Sequence, residues 1–452
     1  MPIELSSAAL GGALARLGEQ DLEAPRDVEG ALEWMAGRED PEAPLLLRRY
    51  DLQVFLWYQL PRKWLIPLDD KRRVAARLGR FLDLVGGRAG DYAGICTSEE
   101  TMRLLSAWEE DDPGAGPMLR NALDASGIEP PDTAALEWGS VMGLEEARFR
   151  DRVAFELEQA LDQGRLRRGE RGFERRRADF VSDWLLRPRA ELDGRAAIDL
   201  ISEERLTRWL GRGSDERRAI LAGVAPLLRE LEPAEAPSAP EPLTWLLDAA
   251  RERISLTQTG ALNRALVRAS VERFPGWWDG GLHGPPHRED DVFSLCEVHQ
   301  LARRLRLLRR RGRRLLLTRR GEQLREDPQA LFRGCARKLI ASDGFEAAAQ
   351  ELAAAVLLSR ETVDRDLLER ELHAAIVAEG WNAGGELPAV WEVARAAGGL
   401  LRVTEALGLV EYRYEWDRET LTAERELRST AAGREALRLA LGSRALGPAR
   451  WP

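Results

Sequence analysis

A chain of 452 residues is too long for one hydrophobic core, and its 44% hydrophobic and 32% charged content excludes large-scale disorder. No apolar run approaches the ~20 residues that span a bilayer, and Met1-Pro2-Ile3-Glu4 lacks the basic and apolar regions of a signal peptide. Cys96, Cys296 and Cys335 are odd in number and far apart, which argues against a disulfide framework, so a cytoplasmic protein with no membrane partner is expected.

The lysines are Lys63, Lys71 and Lys338 alone, so 64 of the 67 basic residues are arginine, a codon-usage bias that inflates every arginine cluster. The distribution is nevertheless uneven. Residues 1–150 hold 27 acids and 17 bases, whereas residues 301–350 hold 5 acids and 14 bases inside a chain of net charge −9. That asymmetry is the strongest electrostatic feature of the sequence.

Residues 1–42 read as an N-terminal extension with a weak helical pattern, ending in the loop-like Arg38-Glu39-Asp40-Pro41-Glu42-Ala43-Pro44. A helical domain is expected over 43–165. Leu47, Tyr50, Val54, Trp57 and Tyr58 form one face of a helix that ends near Pro61. Further helices are expected at 69–85, 98–109, 114–126 and 144–163, separated by Pro113, Gly114, Gly116, Pro130 and Pro131.

An intermediate helical segment follows over 166–232; its arginine-dense stretch 164–177 reads as a solvated helix or a hinge. Within it, the run from Trp184 through Pro188 and Leu192 to Gly194-Arg195 resembles a short W-x-x-x-P-x-x-x-L-x-G-R element found near the ends of many bacterial proteins, some antitoxins among them. The resemblance implies a packing unit in which the Trp buries against a helix pair and the Gly makes a turn. Residues 233–242 carry Pro233, Pro237, Pro240 and Pro242, which favours an extended linker.

The remainder reads as two modules, 243–340 and 341–452. In the first, a helix is expected over 262–274, a Gly/Pro-rich loop over 275–290 and a second helix over about 293–310. Gly312 marks a turn between two short extended stretches, and a closing helix follows Pro328. In the second, helices at 364–379 and 390–407 flank a loop holding Gly384, Gly385 and Pro388, and Leu409 to Tyr414 alternates like a strand. Helix, strand, turn, strand ending in T-x-x-G, helix is the order of a winged helix. Thr318 and Thr430 suit helix caps, and Gly321 and Gly433 suit a relaxed backbone where strand becomes helix.

Gly408-Leu409-Val410 with Thr430-x-x-Gly433-Arg434-Glu435-Ala436-Leu437 resembles bacterial winged-helix transcription regulators. The stretch 254–340 is similar to repeated modules of actinobacterial plasmid- and transposon-associated proteins, on Leu256-Thr257-Gln258-Thr259-Gly260-x-Leu262 and Leu317-Thr318-x-x-Gly321-x-x-Leu324-x-x-Asp327-Pro328. The fold these observations imply is mainly α and multidomain, a helical N-terminal domain followed by two winged-helix-like α+β modules.

Arg303, Arg304, Arg306, Arg309, Arg310, Arg311, Arg313, Arg314, Arg319 and Arg320 lie within twenty residues that hold no acid. In a DNA-reading winged helix the helix before the wing enters the major groove and the wing touches phosphates. Arginine suits both contacts. Arg303, Arg306 and Arg310 are spaced to share one helix face, and Arg313 and Arg314 fall at the wing tip. The leading expectation is therefore double-stranded DNA. An acidic partner, either the chain's own acidic N-terminal half, another protein or a second copy through self-association, or a merely solvated arginine face, stays open beside it. The second module offers only Arg395 and Arg402 at its corresponding helix, beside Glu392 and Glu405, and Gly398-Gly399 weakens that helix; a packing or dimerisation unit is expected there.

His283, His287, Cys296 and His299 fall within seventeen residues, and imidazole with thiolate suits zinc. Their spacing matches no zinc pattern, so neither metal nor cofactor is expected, and whether the four converge is left to the fold. Cys96 precedes a helix start capped by Thr97 or Ser98, but no histidine lies near it in sequence to act as a base. Glu109-Glu110-Asp111-Asp112 reads as a solvated helix end, and the 14 tryptophans are too dispersed for a stacking platform. No GxSxG, GxxxxGK[ST], GxGxxG or HExxH pattern occurs, so no enzymatic activity is expected.

Overall fold

Ile3 and Leu5 lie on a strand, β1 (Ile3–Leu5), that pairs antiparallel with β2 (Leu45–Leu47) and places Ile3 opposite Leu47. The computed structural model describes residues 3–36, 44–229, 237–279, 284–382, 385–417 and 422–449. It divides into two compact units, Met1–Ile201 with Pro448–Pro452, and Ser202–Gly447. Both are mainly helical with small antiparallel sheets. No helix among the described residues is long and apolar enough to cross a membrane.

In the first unit the stretch expected as an extension is part of the core. Helices Ser7–Gln20 and Ala24–Ala36 bury Leu14, Leu17, Val28 and Leu32, whose three- and four-residue spacing forms apolar stripes. The helices Leu68–Val85, Glu99–Glu109, Ala115–Ser126 and Leu144–Asp162 form within two residues of their expected bounds. Ser98 is the cap of the second, its side chain accepting from the Thr101 N–H at 3.2 Å, with Glu99 and Glu100 at the positive helix end. The helix expected to end near Pro61 ends at Lys63: Arg49–Val54 runs into a π-turn, Phe55–Gln59, and then Leu60–Lys63.

A second cluster of this unit gathers Phe149, Val153, Leu157, Val181, Trp184 and Ile201. The helix Phe173–Leu186 carries Trp184, whose ring lies 6.2 Å from Phe149 and 4.0 Å beneath the Arg189 guanidinium, while Gly194 turns the chain at φ +80°. Buried Glu158 joins the two clusters by accepting from the Tyr92 hydroxyl at 2.8 Å and the Arg49 N–H at 2.9 Å.

The second unit repeats one order of elements twice. Helix Glu241–Arg251, β3 (Ile254–Ser255), helices Arg264–Arg273 and Phe293–Arg304, β4 (Leu308–Arg311) and β5 (Arg314–Leu317) lead into helix Arg319–Glu326 and then Pro328–Ala336. Helix Gly344–Ser359, β6 (Thr362–Asp364), helices Arg365–Ala378 and Val390–Ala406, β7 (Val410–Asp417) and β8 (Thr422–Ser429) lead into Ala431–Ala445. The sheets have the orders β3-β5-β4 and β6-β8-β7. Thr318 and Thr430 cap the helices that follow, accepting from Gly321 and Gly433 N–H at 2.9 and 3.0 Å. Both glycines keep negative φ, so they are required by close packing rather than by the change from strand to helix.

One expectation differs from the structure here. The boundary falls at 201/202 rather than in the proline-rich stretch, of which 233–236 lie outside the described residues. Leu206, Trp209, Leu221 and Leu228 share one core with Leu243, Leu246 and the later helices, and buried Arg217 meets Glu351 at 2.6 Å and Glu379 at 3.2 Å. The helix expected over 390–407 forms as Val390–Ala406 with Gly398-Gly399 inside it. A Cβ on Gly399 would lie 2.8 Å from Gln350 Nε2, so glycine permits the close approach of Gly344–Ser359.

Candidate nucleic-acid interface

The helix expected over 293–310 ends six residues early, at Arg304, and its end organises the arginine run. Arg306 adopts φ +57°; its N–H reaches the Arg303 carbonyl at 2.9 Å, and the Leu307 N–H reaches Ala302 at 2.9 Å. This is a Schellman closure, which normally takes glycine at the left-handed position. Gly408, φ +69°, fills that position in the second repeat, with N–H bonds to Glu405 and, from Leu409, to Thr404. Arg303, Arg306 and Arg310 therefore do not share a helix face: one is helical, one is the left-handed residue and one lies on a strand.

Strand alternation then separates the remaining arginines. β4 and β5 pair Leu308 with Leu317, Arg309 with Leu316, Arg310 with Leu315 and Arg311 with Arg314; β3 places Ser255 opposite Arg314. Directly opposed residues share a face. Leu308, Leu315, Leu317 and Ile254 turn inward to the core, with Arg310 at the end of that face, whereas Arg309, Arg311, Arg314 and Ser255 face outward. Gly312, φ +60°, takes the first of the two turn positions of the hairpin, and Arg313 the second.

The outward face floors an open groove of about 1020 Å³ whose basic lining is Arg251, Arg253, Arg309, Arg311, Arg313 and Arg314; Glu322 is its one acidic residue. Arg251 ends the first helix of the module and Arg253, φ +69°, precedes β3. Neither stands out in the sequence, because only strand pairing brings them beside the β4–β5 hairpin.

All ten arginines of the 303–320 run are exposed, and none forms an ion pair with a described residue. Elsewhere in the unit arginines do find acids: Arg325 meets Asp248 at 3.3 Å and Arg402 meets Glu297 at 3.1 Å. Arg311 and Arg314 are opposed like charges, an arrangement that destabilises a sheet. Arg319 and Arg320 occupy the first turn of their helix, the end where the helix dipole disfavours cations. These placements cost the fold stability rather than adding to it.

The helix Phe293–Arg304, which precedes the β4–β5 hairpin, is not free along its length. It packs against Val390–Ala406, the corresponding helix of the second repeat, burying Leu295, Val298 and Leu301 in the common core; the Arg402–Glu297 pair lies at the same contact. Arg303 and Arg304 in its last turn remain exposed.

Of the residues weighed as zinc ligands, Cys296 and His299 both reach Glu289 and His287 reaches Asp291. His283 lies outside the described residues. The backbone N–H of His287 donates to Asp291 at 2.8 Å, Cys296 Sγ donates to the Glu289 carbonyl at 3.2 Å, and His299 Nδ1 bonds Glu289 Oε1 at 2.7 Å. Among the described residues no three His, Cys, Asp or Glu side chains are grouped to hold a metal. Burial, which disfavours the thiolate, pushes Cys96, Cys296 and Cys335 up to about 12.

A family model described as the Y4jL N-terminal domain matches residues 242–330, from the first helix of the module to the helix that begins at Pro328. No curated protein and no solved structure matches the chain.

Proposed function

We propose that residues 241–336 and 344–445 are two winged-helix modules and that the first binds double-stranded DNA through its wing and outer sheet face. The order helix, strand, helix, helix, strand, strand in both repeats supports the winged-helix reading. The observation that carries the DNA reading is the groove lined by Arg251, Arg253, Arg309, Arg311, Arg313 and Arg314, guanidinium groups with no described carboxylate partner. Such a surface matches phosphates spaced along a duplex, and a guanidinium can make two parallel hydrogen bonds to two oxygens of one phosphate.

Contact with the backbone, rather than reading of bases, follows from the packing of the pre-wing helix against Val390–Ala406. A helix inserted in the major groove must present one whole side to the bases. Here the exposed basic residues of that helix are confined to its last turn.

Fluorescence anisotropy of a labelled duplex at ~50 mM salt tests the reading, since the electrostatic term is large there. Binding is expected, and it weakens when Arg309, Arg311, Arg313 and Arg314 are replaced by glutamine. Absence of binding at that salt would remove DNA and leave the protein-interaction reading.

A further inference from the structure

We propose that a second, smaller pocket on the inner side of the same sheet, lined by His299, Arg303, Arg310, Gly260, Leu256 and Leu315, binds a single phosphate or phosphomonoester anion. It has a volume of about 300 Å³. Strand alternation gives this pocket Arg310 while Arg309 and Arg311 go to the groove, so the two sites draw on different arginines.

The observation that points to a ligand is the histidine. His299 is 6% exposed, on the buried side of the pre-wing helix. Its Nδ1 is committed to Glu289 Oε1 at 2.7 Å, and the other carboxylate oxygen accepts from the Leu262 N–H at 2.7 Å. Nε2 has no hydrogen-bond partner among the described residues. A buried nitrogen left in that state costs stability, and it is the one ring atom remaining for a bound group. With Nδ1 held by Glu289, Nε2 is the ring nitrogen that faces a bound group, where it can accept the hydroxyl of a monoprotonated phosphate or donate to one of its oxygens.

Two guanidinium groups supply the charge. Arg303 closes the last turn of the helix that carries His299, and Arg310 reaches the pocket from β4, its Nε held by the Gly312 carbonyl at 2.9 Å. Neither is paired with a described carboxylate. The turn opposite is made by Gly260 at φ +90°, where a Cβ would lie 2.5 Å from Arg310 Nη1. Glycine there keeps the Arg310 head at the pocket wall. Two arginines with one imidazole nitrogen suit a tetrahedral phosphate better than a planar carboxylate, which two forked contacts already saturate.

The test uses the full chain and inorganic phosphate. The protein has 4 histidines, so the imidazole nitrogens of His299 can be followed by long-range ¹H–¹⁵N correlation during a phosphate titration. The expected result is a saturable shift of His299 Nε2, with affinity reduced about tenfold or more in Arg303→Gln/Arg310→Gln, since charge-assisted bonds are lost. The groove variant Arg309→Gln/Arg311→Gln/Arg313→Gln should leave that shift unchanged, which separates failure of this site from failure of DNA binding. His299→Gln, compared by thermal melting without phosphate, controls for folding. No saturable shift at tens of millimolar phosphate, or a shift that persists in the Arg303/Arg310 variant, would overturn the proposal.

Discussion

Gly321 packs so closely on Leu307 that a Cβ there would overlap the Leu307 carbonyl oxygen, and Gly433 stands in the same relation to Leu409. In both repeats the carbonyl belongs to the residue just after the left-handed position, and it also accepts the N–H of the capping threonine, Thr318 at 2.9 Å and Thr430 at 3.0 Å. One contact thus locks the end of the helix before each hairpin to the start of the helix after it.

That contact predicts opposite effects for two small changes. Gly321→Ala should destabilise the second unit by about 1–3 kcal/mol, the usual cost of overpacking. Arg306→Gly should stabilise it by about 0.5–1 kcal/mol, because a left-handed arginine carries a steric cost that glycine lacks. Urea unfolding followed by tryptophan fluorescence measures both. A neutral Gly321→Ala would mean that the backbones do not approach as described.

Duplex binding should depend steeply on salt. With about five phosphate contacts in the groove, the log–log slope of affinity against salt should be roughly −4 to −5. Replacing Arg313 and Arg314 by glutamine should make it shallower by about two units. Two duplexes of unrelated sequence should compete equally to within about twofold, since phosphate contacts carry no sequence information. Strong discrimination abolished by Arg303→Gln/Arg304→Gln would restore a base-reading role for the pre-wing helix.

The thiols should be unreactive while the protein is folded. Cys96, Cys296 and Cys335 are all pushed up to about 12. At pH 8 the thiolate of such a group is on the order of one part in ten thousand. A disulfide reagent at that pH should label the native chain far more slowly than the urea-unfolded one. Cys296 is the sharpest case, being only half buried yet faced by Glu289, Asp290 and Glu297. Rapid native labelling at Cys296 would contradict that environment.

The helices at 202–229 should be required by the modules that follow. Arg217 bonds the Trp209 and Arg212 carbonyls at 2.9 and 3.0 Å, together with Glu351 and Glu379. A fragment spanning 202–447 should unfold cooperatively, whereas 243–447 should be weaker by about 3 kcal/mol or more, because it leaves Glu351 without its Arg217 partner. Arg444, 3.0 Å from Glu351, limits the loss without removing it. Equal stability of the two fragments by circular dichroism in urea would return the boundary to the proline-rich stretch.

Local signals in the sequence determined much of the secondary structure. Periodic apolar residues set the helices Leu68–Val85 and Leu144–Asp162, Ser98 set a helix start, and Thr318 and Thr430 set two caps, because each of these acts within a turn or two of chain. The charge asymmetry at 301–320 was equally plain from composition. Tertiary structure decided what that charge can touch. The helix Phe293–Arg304 stops where it does because Leu307 and Leu308 must turn inward, and the two-residue period of β4 then sends Arg309 and Arg311 to one side and Arg310 to the other. Arg251 and Arg253 join the groove only because β3 pairs with β5, and Phe293–Arg304 loses a free face only because Val390–Ala406 packs on it. Such pairings join residues up to a hundred positions apart, and they are fixed by which apolar faces bury together, a property of the whole fold that no single stretch of sequence displays.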